Sequence, residues 1–311
     1  MRKTVLIVLA LTLVATAAFG QDFWNPPTLA NRNASGFEYY MLEVPDGVNI
    51  VADTQDADWA WFDPEYVLVN DEWRDEGNRE LPSRDDLDVT TMMAWKGAPE
   101  NRWYVHMVIQ DDTLAHGGNN IARWAGDMLS FALDPQDHGR DRGDGGYSLE
   151  WYAAPGDVSP NWAYRYPTGD AEPGILAWLE YGQEPYMDFA LRVEPAEAWN
   201  AELWTSDTGG QTYYEWSVLV VEELLDGGPS ASVPRDLDAQ SGAGGFGLMF
   251  NYWVEDGEGP GGTFNDWTVR GEEASNRQYF AHGVLLQVGE YAAQTPTAVA
   301  ESTWGRIKSS F

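Results

Sequence analysis

The stretch RWYVHMVIQ, residues 102 to 110, alternates two sets of side chains. Trp103, Val105, Met107 and Ile109 fall on one face; Tyr104, His106, Val108 and Gln110 fall on the other. Both sets are largely apolar, which predicts a central strand covered on both sides. Strand-favouring runs recur at Glu38 to Val44, Tyr66 to Val69, Val89 to Lys96, Asp127 to Leu133, Tyr147 to Ala154 and Asn161 to Tyr166. Further runs are Ile175 to Tyr181, Met187 to Val193, Tyr213 to Val221, Phe246 to Val254 and Gly283 to Val288. Clusters of Gly, Pro, Asp and Asn separate them. One helical candidate stands in the middle, VVEELLDGG at 220 to 228, a short turn closed by glycine. The pattern predicts an all-β fold: an antiparallel, jelly-roll-like β-sandwich with at most one or two short helices.

The two ends depart from this pattern. Arg2 and Lys3 precede an apolar run from Val5 to Val14, broken only by Thr12, and Ala18-Phe19-Gly20 stands before Gln21. Residues 1–20 therefore read as a secretory signal peptide, cleaved near Gly20, too short and wrongly flanked for a membrane span. The mature protein is expected to be secreted or periplasmic. No other run reaches about 18 uninterrupted apolar residues, so no membrane insertion is expected. Residues 21–37 contain Pro26-Pro27 and read as a polar N-terminal arm. Residues 38–291 form one sandwich domain in this reading, with a break near the Gly/Ser/Pro-rich stretch 226 to 246 as the weaker alternative. Residues 292–311 are a linker and a short amphipathic tail. Trp304, Ile307, Lys308 and Phe311 share one helical face there. That face either docks on the domain or contacts the cell envelope or secretion machinery.

Charge narrows the range of partners. The net charge is -32, and loss of Arg2 and Lys3 with the leader takes it to -34. Such a surface repels phosphate backbones and anionic lipids, so nucleic acid is excluded as a partner. Neutral glycans, and cations such as Ca²⁺, stay compatible. With no cysteine in the chain, disulfides and thiolate chemistry are ruled out, and stability must come from the core. Sixteen Trp, fifteen Tyr and eleven Phe supply the apolar area for it.

The segments RWYVHMVIQDDTL, RWAGDMLSFALDP and YSLEWYAAPG, in that order, resemble the family 9 carbohydrate-binding modules. YYEWSVLVVEELL, FGLMFNYWVEDGEG and HGVLLQ are similar to that family's later strands, so the resemblance spans roughly residues 45 to 290. It implies a β-sandwich, often stabilised by calcium, that holds sugars between aromatic rings without catalysis. The family's Trp-x-x-Asp is matched by Trp124 and Asp127, and Trp124 would be one wall of the slot. The indole physics agrees, since pyranose C–H groups pack on an aromatic face while hydroxyls need polar partners. Asn120, Arg123 and Glu150 are candidate partners for those hydroxyls, and Tyr279 is a candidate for the opposite wall. The chain departs from the family at Ser130, where a binding carboxylate stands, and at Asn276, where a Trp stands. A structural or envelope-associated protein that kept the fold and lost the sugar site is the alternative. Trp124 could equally cap the core, and Asp127 could simply fix its turn.

Acidic loops offer candidate Ca²⁺ ligands. Asp111 and Asp112 follow one strand, Asp134, Asp137, Asp141 and Asp144 crowd one loop, and Asp256 ends another strand. Catalytic patterns are weak. The four histidines, His106, His116, His138 and His282, form no metal-binding array, and no nucleophile elbow is present. Glu150 and Glu215 are the strand carboxylates that a glycosidase could pair. A haem-binding relative of the sandwich would draw on His106, Met107 or Met128.

Overall fold

In a computed structural model, the chain is described at residues 38–69, 74–75, 84–114, 127–134, 147–153, 162–167, 184–194, 209–223, 230–240, 246–256, 265–268 and 281–291. The long strands are β1 (Glu38–Glu43), β3 (Leu87–Lys96), β4 (Arg102–Asp111), β5 (Met128–Asp134), β6 (Tyr147–Ala153), β7 (Trp162–Pro167), β8 (Met187–Glu194), β9 (Gly210–Leu219), β12 (Phe246–Asp256) and β14 (Ala281–Leu286). Four short ones are β2 (Arg74–Asp75), β10 (Val221–Glu223), β11 (Val233–Pro234) and β13 (Asn265–Thr268). A four-residue helix, α1, covers Leu237–Gln240, and single 3-10 turns cover Asp56–Trp59 and Pro64–Tyr66.

Hydrogen bonds join the long strands in the order β7-β6-β5-β12-β14-β1-β3-β4-β9-β8. Pairing is antiparallel except at β1, which runs parallel to both β14 and β3. Strands from both sides of residues 226 to 246 share this sheet. The path curls back on itself. Phe131 of β5 stacks on Trp216 of β9, centroids 4.3 Å apart and planes 25° apart, although the two strands are far apart in the order. Trp103 meets Trp216 edge-on at 6.2 Å. The result is a β-sandwich, with β7, β6, β5 and β12 in one layer and β3, β4, β9 and β8 in the other.

Alternation explains which side chains fill the space between the layers. On β5, Leu129, Phe131 and Leu133 are buried, and Ala153 of β6 joins them. Opposite stand Met93, Val105 and Trp216, one cross-strand row of β3, β4 and β9. The same period that points these residues inward sends Met92, His106 and Glu215 outward. Residues 44 to 69 cross that outer face as a strap. Trp59, Trp61 and Phe62 build a second core there on Ala94, Tyr104, Val108 and Tyr213. Trp59 and Trp61 stack at 6.4 Å, and burying each large side chain is worth about 2–3 kcal/mol relative to exposure. Both faces of β4 are thus covered, as its two apolar sets predict.

Two sequence expectations change. The Tyr66 to Val69 run is a 3-10 turn followed by one bridge, Leu68 to Thr91. The helical candidate at 220 to 228 opens instead as strand β10, paired with β11. Val220 and Val221 are both buried in the same core, which an extended chain permits here. Val220 also donates its N–H to the Asn101 carbonyl and accepts from the Arg235 N–H. The helix present, α1, lies further on. Asp238 accepts a hydrogen bond there from the Ala98 N–H at 2.9 Å. A Cβ at Gly97 would sit 2.1 Å from the Asp238 carboxylate, so a larger residue at that crossing would displace it. The Ile175 to Tyr181 run lies outside the described residues.

Candidate functional site

Each layer has an outer face, and the two differ in chemistry. On the strapped layer, register sets Met92, His106, Glu215 and Ala190 in one row and Thr90, Val108, Tyr213 and Arg192 in the next. Glu215 is 1% exposed. One carboxylate oxygen accepts from the Trp59 indole N–H at 2.7 Å; the other accepts from the backbone N–H of Asp53 at 3.0 Å and of Thr54 at 2.6 Å. The preceding amide, Ala52, donates to Asp188 at 3.4 Å. Three successive strap amides therefore end on two sheet carboxylates.

Thr54 is held from its other side as well. Arg192 donates through Nε to the Thr54 hydroxyl at 3.2 Å and through Nη2 to its carbonyl at 3.1 Å. The guanidinium also lies over the Tyr213 ring, 3.7 Å from its centroid. Thr54 sits at φ 62°, a conformation that β-branched residues rarely adopt, and these contacts determine it.

Electrostatics follow from this burial. Loss of solvent raises the Glu215 carboxyl to about 7, against its three hydrogen bonds, which act the other way. Burial, with a smaller contribution from Arg192, lowers His106 to about 3, so the imidazole is neutral. Its 3.5 Å contact with Asp56 is therefore dipolar rather than ionic at neutral pH. A carboxyl near neutrality beside an imidazole could do acid–base work. These two are sealed beneath the strap, however, and their geometry is that of a clamp on the loop.

The other outer face belongs to β7, β6, β5 and β12. Leu129, Phe131, Leu133 and Ala153 face the core, so the residues between them lie on the opposite face. One row there reads Trp162, Tyr152, Ser130, Trp253; the next reads Tyr164, Glu150, Ala132, Asn251. Small residues on β5 are flanked by aromatic and polar positions on both neighbouring strands. Trp124 belongs to the segment that leads into β5.

The predicted binding residues divide accordingly. Glu150 occupies β6 on this face, paired with Ala132 and Tyr164. Asn120, Arg123, Trp124 and Tyr279, with Asn276, lie outside the described residues. Asp127 stands at the mouth of β5 and is 7% exposed. Glu215, read from the sequence as a carboxylate that a glycosidase could pair, is a buried anchor of the strap. It also cannot pair with Glu150 across a cleft, because the two occupy outer faces of opposite layers. His106 and Met107 lie on opposite faces of β4, so they cannot bind one haem iron together.

The metal candidates are dispersed. Asp111 is buried at the end of β4, where its Oδ1 accepts from the Thr113 N–H at 2.9 Å. The Asp112 N–H donates to the Asp86 carbonyl, and burial followed by repulsion from Asp112 raises the Asp86 carboxyl. Asp256 pairs with Asn265 at the end of β12. Among the described residues, no three carboxylate or imidazole groups converge as cation ligands.

Sequence reasoning missed the strap clamp and the aromatic line on β7. A glutamate inside the apolar strand YYEWSVL was a signal for the first. The W-A-Y-R-Y alternation at 162 to 166 was a signal for the second.

These layers define a two-layer, all-β sandwich. No protein-family model matches the chain, and no curated protein matches it. Among solved structures, the chain is similar to a family 9 carbohydrate-binding module from Caldicellulosiruptor kristjanssonii in complex with cellotriose. The identity is 11% and the TM-score 0.43, over 85% of this chain and 97% of that one. A glucose complex of a family 9 module from the same organism aligns at 11% identity and a TM-score of 0.39, over 85% and 99%. A candidate carbohydrate-binding protein from Bacteroides uniformis aligns at 10% identity and a TM-score of 0.41, over 80% and 98%.

Proposed function

We propose that the protein is a secreted or periplasmic, non-catalytic carbohydrate-binding protein that takes a neutral glycan on the outer face of β5, β6 and β12. The observation that carries this reading is the pair of rows Tyr152, Ser130, Trp253 and Glu150, Ala132, Asn251. Short residues in the middle leave room for a sugar, aromatic positions offer stacking faces, and Glu and Asn offer hydroxyl partners. The net charge of -32 favours an uncharged ligand over an anionic one. Trp124, Asn120, Arg123 and Tyr279, the residues the family resemblance suggests, are proposed to complete the site. The departure at Ser130 makes Glu150 the main carboxylate of the site.

In this reading residues 1–20 are the leader, and N-terminal sequencing of exported protein finds Gln21 first. Ca²⁺ held by acidic loop residues, with Asp111, Asp112 and Asp256 as the candidates, stabilises the sandwich without touching the sugar. A chelator then lowers Tm and leaves sugar affinity unchanged.

The test is a neutral-glycan array followed by affinity-gel electrophoresis. Retention falls about tenfold or more for Trp124→Ala and Glu150→Ala, while Tm moves by only a few degrees. Wild-type protein that is retained by no neutral glycan contradicts the reading and leaves the structural alternative.

A further inference from the structure

Strand β7 reads WAYRYP. Register with β6 sets Trp162, Tyr164 and Tyr166 opposite Tyr152, Glu150 and Ser148. It sets Ala163 and Arg165 opposite Trp151 and Leu149, which share the core-side parity of Ala153. The strand is thus inverted relative to an ordinary sandwich edge. Large rings normally take the core side of such a strand, and small or charged residues take the other. Here Trp162, Tyr164 and Tyr166 lie on the face away from the core, and Ala163 and Arg165 lie on the core side. Among the described residues β7 is also the last strand of the hydrogen-bonded path, so this line stands at the end of that path. Its three positions are spaced about 6.6 Å apart along the strand. Its Trp162 continues directly into the row Tyr152, Ser130, Trp253, which crosses about 14 Å of sheet over four strands.

We propose that the β7 line is an additional glycan subsite, so that the protein binds an internal stretch of an extended neutral polysaccharide rather than a single terminal sugar. This rests on the glycan reading above and adds the length and placement of the ligand. A row spanning four strands exceeds the footprint of one pyranose. Aromatic residues at alternate positions of β7 extend the row along that strand and suit successive sugar units. Anionic polysaccharides are disfavoured because the protein carries a net charge of -32.

Isothermal titration calorimetry of the mature full-length chain tests this with cello-, manno- and xylo-oligosaccharides of two to six units. The expected result is an affinity that rises about tenfold or more from the dimer to the hexamer of the preferred series. Trp162→Ala and Tyr164→Ala each remove most of that gain and leave dimer affinity within about twofold. Length-independent affinity in the wild type, or variants that keep the full gain, overturns the β7 subsite while the central glycan site stands. Binding to no saccharide overturns both. If both variants lose cooperative unfolding, the rings are structural and the subsite is overturned.

Discussion

Glu215 is the residue on which the strapped face depends. It replaces water for three donors, and Glu215→Ala would leave the buried Trp59 indole and Thr54 amide, and the part-buried Asp53 amide, without their acceptor. The expected cost is at least about 3 kcal/mol by urea unfolding at pH 8. The pH dependence has a definite sign. Its folded pKa of about 7 lies above the ordinary 4.5, so the folded state holds the proton more tightly. That contribution to stability is complete below about pH 4.5 and fades as pH rises through 7. Relative to Glu215→Gln, which does not titrate, the wild type should lose stability between pH 5 and 8. Parallel curves for the two proteins would show that Glu215 does not titrate in that window. This role was only half legible in the sequence. Glu215 was visible as a strand carboxylate, but its three donors come from residues 53, 54 and 59, and no local pattern announces a contact over 156 positions.

At the level of elements, the strap 44 to 69 works as a single unit. It is tied at Ala52 to Asp188, at Asp53 and Thr54 to Glu215, and at Thr54 to Arg192. Arg192→Ala removes the last of these and the cover over Tyr213. Hydrogen exchange at residues 50 to 59 should then quicken, while exchange in β5 and β6 stays unchanged. Equal quickening in both layers would mean the strap and the sandwich open together. The strands themselves were legible because alternation is a local signal. β4 shows this best, with Trp103, Val105, Met107 and Ile109 in one core and Tyr104 and Val108 in the other. β10 was not legible, because Glu-Glu-Leu-Leu favours helix and only the pairing with Val233–Pro234 overrides it. The candidate site divides the same way. Glu150 is legible as a binding candidate from its strand, whereas the row of Trp162, Tyr152 and Trp253 exists only once four strands are in register.

Across the whole molecule, the balance is between a large aromatic interior and an acidic exterior. Fifty acidic residues against eighteen basic ones repel one another in the compact state. Raising NaCl from about 20 mM to 500 mM should therefore raise Tm, because the Debye length shrinks severalfold, while affinity for a neutral glycan stays flat. A fall in affinity with salt would point to a charged ligand instead. The two layers differ: one outer face is closed by its strap, and the other carries aromatic and polar positions around Ser130 and Ala132. Hydrogen–deuterium exchange of the mature protein with and without a saturating cello-, manno- or xylo-hexaose tests that division most directly. The account predicts protection concentrated in residues 128–134, 147–153 and 162–167 with the preferred sugar. Protection centred on the strap at 44 to 62, or in no segment with any of the three sugars, would contradict it.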